Sequence, residues 1–203
     1  MDMQQMLEEY AVRNVRQQWA FARDHGEWET MRACFHPDAT VRVLWYSGPV
    51  AGFLDETIES FTGRKPGEGT KHWLGNSRVW VKGDRALLET DAMVLGRNRF
   101  SGHLFDFTLY IRLYDRVERR QGAWRILRMD AIYDRDRLDP VIPGSVPVDF
   151  FQGVDMTGPF AAIGLIRWRT QKRGGKVPDD LPIGGTESEK KVRAANEAWL
   201  AGA

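Results

Sequence analysis

An α+β domain is the fold class this chain predicts: helices gathered on one side of a curved antiparallel sheet, followed by an irregular C-terminal tail. Three observations lead there. An amphipathic stripe opens the chain, with Leu7, Ala11, Val15, Trp19 and Ala22 at steps of four, four, four and three. Strict alternation runs through Phe105, Phe107, Leu109, Ile111 and Leu113, with Asp106, Thr108, Tyr110, Arg112 and Tyr114 on the other face. Glycine-bearing turns cut the middle of the chain into pieces of strand length.

The first helix ends near His25-Gly26, because glycine is the usual residue just past a helix end. A short second helix covers about 27–35, with Trp28, Met31 and Phe35 on one side, and Pro37-Asp38 breaks it. Residues 39–46 alternate around Val41 and Val43 and form a strand. Ser47-Gly48-Pro49 is a turn, and 52–62 a third helix. Four strands follow as a meander: 71–81, 85–95, 100–116 and 123–133. The turns between them are Gly83-Asp84, Gly96-Arg97-Asn98 and Arg120-Gln121-Gly122.

From Leu138 onward the composition shifts. Six prolines and many glycines fall between Asp139 and Gly185, so the chain divides into a domain at 1–138 and a tail at 139–203 that wraps the domain or a neighbouring subunit. The tail's basic cluster, Arg167, Arg169, Lys172, Arg173 and Lys176, reads as a solvated face. Thr186 with Glu189 three residues on has the pattern of a capping box, opening a last helix that ends near Leu200.

The bulk numbers exclude several classes. With 29 basic and 28 acidic residues the net charge is +1, which gives no pull toward nucleic acid or an acidic membrane. The 42% hydrophobic content is that of a globular chain. Residues 1–9 are polar and acidic, unlike a signal peptide, and no apolar run approaches the ~20 residues that span a bilayer, so the expected location is the cytoplasm. The single cysteine, Cys34, reads as a small buried hydrophobe. Dinucleotide, P-loop, zinc-protease and serine-hydrolase motifs do not occur, and His25 and His36 have no carboxylate at ligand spacing; neither a metal nor a cofactor is expected.

One pair of residues can carry chemistry. Asp24 closes the first helix and His72 lies on the first meander strand. In a helix-over-sheet fold the end of a long helix can lie over a strand's concave face, where Asp24 accepts the Nδ1–H of His72 and favours the imidazolium. A structural ion pair explains the two residues equally well from spacing alone.

The segment Phe21 to Met31, followed by His36-Pro37-Asp38-Ala39, resembles the opening of the SnoaL-like, nuclear-transport-factor-two-like superfamily. His72-Trp73-Leu74-Gly75-Asn76 through Val81 to Ala86 resembles the strand pair that carries that family's histidine, and Gly122-Ala123-Trp124-Arg125-Ile126 its final strand. The likeness covers about 7–138 and is nearest to the scytalone dehydratase and hexachlorocyclohexane dehydrochlorinase group.

The resemblance implies a cone-like curved sheet around a cavity for a small, mostly apolar or aromatic molecule. It implies a cofactor-independent lyase or isomerase of dehydratase type, with His72 taking a proton from carbon and Asp24 orienting it. Three more residues enter as substrate contacts. Arg128 matches a pocket arginine, although an ion pair with Asp106 or Asp130 explains it equally. Tyr46, with Trp45 as its rival, matches a tyrosine on the first strand. Trp19 stands where the dehydrochlorinase has a lysine, and core packing is its other reading. Arg23 replaces the tyrosine that precedes the aspartate in scytalone dehydratase. The segment 133–140 also resembles SnoaL-like proteins related to the β subunit of ring-hydroxylating dioxygenases, which implies the alternative of a non-catalytic ligand-binding or structural subunit. A homo-oligomer, dimer or trimer, is expected across the sheet's second face, where Tyr110 and Tyr114 point.

Overall fold

Asp2 starts the chain's first helix by accepting the Gln5 N–H at 2.7 Å, and Gly26 ends it in the left-handed conformation with φ 76°. The structure, a computed structural model, describes residues 2–202. Its elements are α1 (Met3–His25), α2 (Trp28–Ala33), β1 (Phe35–Val43), β2 (Tyr46–Pro49), α3 (Val50–Thr62), β3 (Gly69–Lys82), β4 (Arg85–Phe100), β5 (His103–Arg120), β6 (Ala123–Pro140), a 3-10 turn (Gly158–Ile163), α4 (Gly164–Lys172) and α5 (Glu187–Ala201). No helix among the described residues is long and apolar enough to cross a membrane.

One six-stranded sheet runs in the order β2-β1-β6-β5-β4-β3. Its pairs are antiparallel except β1 with β6, which is parallel. The α+β class and the helices packed on a curved sheet are as the sequence predicts. Bulges after Leu74, at Leu127 and at Asp134 bend the long strands inward. Phe105, Phe107, Leu109, Ile111 and Leu113 are all buried on the concave face, together with Trp19, Phe35, Phe53, Met129, Ala131 and Tyr133. Cys34 is buried beside Thr30, whose carbonyl accepts its thiol, and burial pushes that thiol up to about 11.

Four expectations are corrected. Gly96-Arg97-Asn98 is not a turn, because β4 continues to Phe100 and reverses at Ser101-Gly102. Gly96 is small for another reason. It pairs with Phe107, whose ring would lie 2.1 Å from any Cβ added there. Leu7 is 54% exposed, since α1 buries instead the side carrying Val12, Arg16, Trp19 and Arg23. Two arginines inside that stripe hide it from hydropathy patterning. Ser47-Gly48-Pro49 belongs to β2, and β1 begins ahead of Pro37, with a register shift between Phe35 and Thr40 that absorbs the proline.

The buried arginine of α1 has a partner. Arg16 Nε donates to Asp115 Oδ2 at 3.0 Å, and both side chains are out of water.

The segment after β6 packs back onto the domain. Phe150, Phe151 and Trp168 pack with Phe100 and Phe105 in one aromatic cluster. Asp136, on the concave side of β6, accepts the Ile166 N–H at 2.7 Å and so fixes the first turn of α4. Further on, the Tyr133 N–H donates to the Pro182 carbonyl, which lays Ile183 beside β6.

Helix α5 covers part of the convex face, where Val192 packs on Leu87, Tyr114 and Ile132. Tyr114, taken from the sequence as open to a partner, is therefore 1% exposed. The capping box does not form either. Thr186 Oγ1 donates to the Ile183 carbonyl, and Glu189 accepts the Gly185 N–H at 2.7 Å and pairs with Arg112 and Arg193.

Burial pushes the Glu189 carboxyl up, but its bonds from Arg112, Gly185 and Arg193 outweigh this and bring it from 4.5 to about 2. The folded value lies below the unfolded one, so this carboxylate's stabilisation is complete above pH 4.5 and is lost as pH falls toward 2. The difference in Tm between the wild type and Glu189→Gln is expected to shrink steadily as pH is lowered from 5.5 through that window. A difference independent of pH would refute the assignment.

Candidate active site

The last turn of α1 lies over β3, and this brings Asp24 and His72 together from 48 residues apart. Both carboxylate oxygens are engaged. Oδ1 lies 2.7 Å from His72 Nδ1, and Oδ2 accepts the His72 backbone N–H at 2.6 Å. The side chains are 2% and 7% exposed. A carboxylate at a helix C-terminus opposes the helix dipole. Here the two donations from His72 and the Arg23 guanidinium at 3.8 Å offset that.

Burial would raise Asp24, but the bonds from His72 keep it below the usual carboxylate range. For His72 burial prevails. It pushes the imidazole below its ordinary value despite the hydrogen bond to Asp24, and the charges of Arg23 and Arg16 push the same way. This reverses the imidazolium expected from the sequence. An ionised Asp24 only accepts, so Nδ1 carries the proton. Nε2 keeps a lone pair and has no hydrogen-bond partner among the described residues.

His72 lines a cavity of about 540 Å3 bounded by the concave face, α1, α3 and α4, within the usual size for a small-molecule site. His72, Val94 and Leu109 stand in register across β3, β4 and β5 and share its wall. The edge of Trp19 meets the imidazole at 5.2 Å between ring centroids, and the buried Trp19 Nε1–H has no partner.

Of the other residues singled out in the sequence, Trp19 reaches the cavity and two do not. Tyr46 turns away: its hydroxyl donates to the Pro49 carbonyl at 2.6 Å and its ring covers Gly48 and Gly52. Trp45, stacked on Phe53, takes the lining position. Arg128 is also off the cavity. The bulge at Leu127 puts it on the face opposite Ile126, where its Nε donates to Asp130 Oδ2 at 2.6 Å beside Arg42. The ion-pair reading of Arg128 is the one the structure supports.

Tyr133, Arg169 and Arg173 line the cavity and were not anticipated as site residues. Tyr133 had no signal beyond being an aromatic on the last strand. Its oxygen accepts the Leu44 N–H at 2.7 Å, and burial keeps its hydroxyl protonated. Arg169, expected in solvent, is 8% exposed. The available signal was its spacing of three from Ile166 on a helix that the prolines and glycines around it obscured.

The chain belongs to the SnoaL-like domain family, which matches residues 4–130. Over 143 residues it is 31% identical to pea pathogenicity protein 2 of Fusarium vanettenii, covering 70% of this chain and 60% of that protein. An uncharacterised protein of Emericella nidulans is 29% identical over 150 residues, with 70% and 62% covered. The chain thus spans about three fifths of the length of these relatives. Among solved structures, a scytalone-dehydratase-like protein of Novosphingobium aromaticivorans superposes with a TM-score of 0.56 at 17% identity, covering 70% of this chain and 97% of that one. The type-3 hexachlorocyclohexane dehydrochlorinase of Novosphingobium barchaimii gives 0.55 at 16%, with 72% and 100% covered. These two likenesses are of fold.

Proposed function

We propose that the protein is a cofactor-independent lyase or isomerase acting on a small, mostly apolar molecule, with His72 as the base and Asp24 as the group that orients it. The carrying observation is the 2.7 Å Asp24–His72 contact on the wall of a 540 Å3 cavity. His72 Nε2 removes a proton from a carbon next to an electron-withdrawing group. The C–H electron pair then becomes an enolate or its equivalent. In a lyase that pair expels a leaving group from the β carbon and forms a double bond. In an isomerase the proton returns to another carbon. The Tyr133 O–H, whose oxygen is already fixed by Leu44, is one donor for the developing oxyanion, and the unpartnered Trp19 Nε1–H is another. The apolar wall excludes water from the intermediate. We place the protein in the cytoplasm as a homo-oligomer, dimer or trimer.

Solvent exchange tests this without knowledge of the full substrate. Small aromatic ketones and β-substituted carbonyl compounds are incubated with the protein in D2O and followed by proton NMR. The wild type is expected to exchange an α proton on at least one of them, and His72→Gln to exchange it about 10²–10⁴-fold more slowly. A second reading, a non-catalytic ligand-binding or structural subunit, draws on Arg23 and Trp19 standing where the catalytic relatives in the resemblance have a tyrosine and a lysine. Binding without exchange in the wild type would favour it and remove the lyase.

A further inference from the structure

We infer that the cavity takes a ligand bearing an anionic group, a carboxylate above all, and that Arg169 is the side chain that receives it. This deepens the reading of the cavity as a small-molecule site, and it holds whether or not His72 performs chemistry.

Helix α4 presents Ile166, Arg169 and Thr170 to the cavity, and its C-cap Arg173 follows, at spacings of three, four and seven from Ile166 that put them on one face. Arg169 is 8% exposed, yet its Nε and Nη1 are fully buried without a hydrogen-bond partner. No carboxylate pairs with it among the described residues, and Glu56 and Glu68, which also line the cavity, make no ion pair with it. The other deeply buried arginines differ: Arg16 has Asp115, and Arg23 has Thr70 at 3.0 Å with Asp24 beside it.

What Arg169 does have is the face of Phe107, 4.8 Å from its guanidinium carbon. That contact orients the plane without using its N–H groups. Burial brings this guanidinium down to about 10, with the charge of Arg173 adding to the effect, so it is still a cation at neutral pH. A buried cation with free donors on a cavity wall is an incomplete ion pair. The planar fork of a guanidinium is complementary to a carboxylate, which it binds through two parallel hydrogen bonds.

The register also gives the ligand its shape. His72 stands opposite Val94 and Leu109, while Phe107 is one same-face step further along β5. Ordinary sheet spacings put the Cα atoms of His72 and Phe107 roughly 12 Å apart. The wall between is apolar. The ligand class is therefore an aryl or short-chain carboxylic acid, held by its charge at α4 and reaching toward His72 with its uncharged end.

The test uses the whole chain with 2-naphthoate and its neutral counterpart 2-naphthalenemethanol, titrated calorimetrically at about 0.1 M salt. The wild type is expected to bind the carboxylate at least about 10-fold more tightly. In Arg169→Gln the preference should vanish while the alcohol binds as before, which also reports that the variant is folded. Should that variant fail to fold, the wild type carries the test alone: the Arg169 Nε–H NMR signal should move with naphthoate and stay still with the alcohol. Equal affinity for the two probes, binding of neither, or a preference retained in Arg169→Gln would overturn the inference. Anion preference without proton exchange would remove the lyase and leave this inference standing. Exchange without anion preference would do the reverse.

Discussion

Replacing Asp24 by asparagine is expected to slow proton abstraction by roughly 10²–10⁴-fold while leaving the fold intact. The cause is a tautomer. The amide introduced by Asp24→Asn can turn its NH2 toward Nδ1, which moves the imidazole proton to Nε2 and points a donor where the lone pair is needed. The pH profile adds a second, independent readout. Burial already places His72 below its ordinary value, so the wild-type rate is expected to level off above pH 6.5 and to fall at lower pH as the base is protonated. Asp24 opposes that lowering, and its removal should shift the acid limb further down. Nitrogen-detected NMR of the imidazole reads the tautomer, and the rate profile reads the ionisation. A variant within twofold of the wild type, with an unmoved limb, would mean that Asp24 holds the helix end and nothing more.

The largest effect on stability is expected at a pair that touches no ligand. Asp115→Ala should cost about 3–5 kcal/mol in urea unfolding, because it leaves the Arg16 guanidinium buried with no carboxylate. Burial pushes Asp115 up, and the charge and hydrogen bond of Arg16 hold it back. Replacing both with apolar residues, Arg16→Met with Asp115→Leu, should recover most of the loss, since the penalty comes from the lone charge. A loss below about 1 kcal/mol for the single variant would show that water reaches Arg16.

What the sequence revealed followed from periodicity, and what it concealed followed from exceptions to it. The alternation from Phe105 to Leu113 marked β5 because every second residue meets the core. The resemblance misplaced Arg128 because one extra residue, Leu127, turns the strand over as far as the second bulge at Asp134. The turn reading failed at Gly96 because a glycine that makes room for a ring looks the same as one that makes a turn. Spacing offered Asp24 and His72 as a pair but left a structural ion pair equally good, and it took a resemblance to a family to single the pair out as a site. Arg169 was hidden most thoroughly: a charge in a proline- and glycine-rich stretch reads as solvated, and only the docking of α4 by Asp136 carries it indoors.

That docking brings the cavity's two polar ends together from different stretches of the chain. Asp24 and His72 lie inside the stretch shared with the family, residues 4–130, whereas Arg169 lies beyond it on a helix that makes no hydrogen bond to either. Inheritance can therefore act on the two ends separately. On the proposed role of Arg169, a descendant that rewrites α4 would alter which molecules the cavity admits without touching Asp24 or His72.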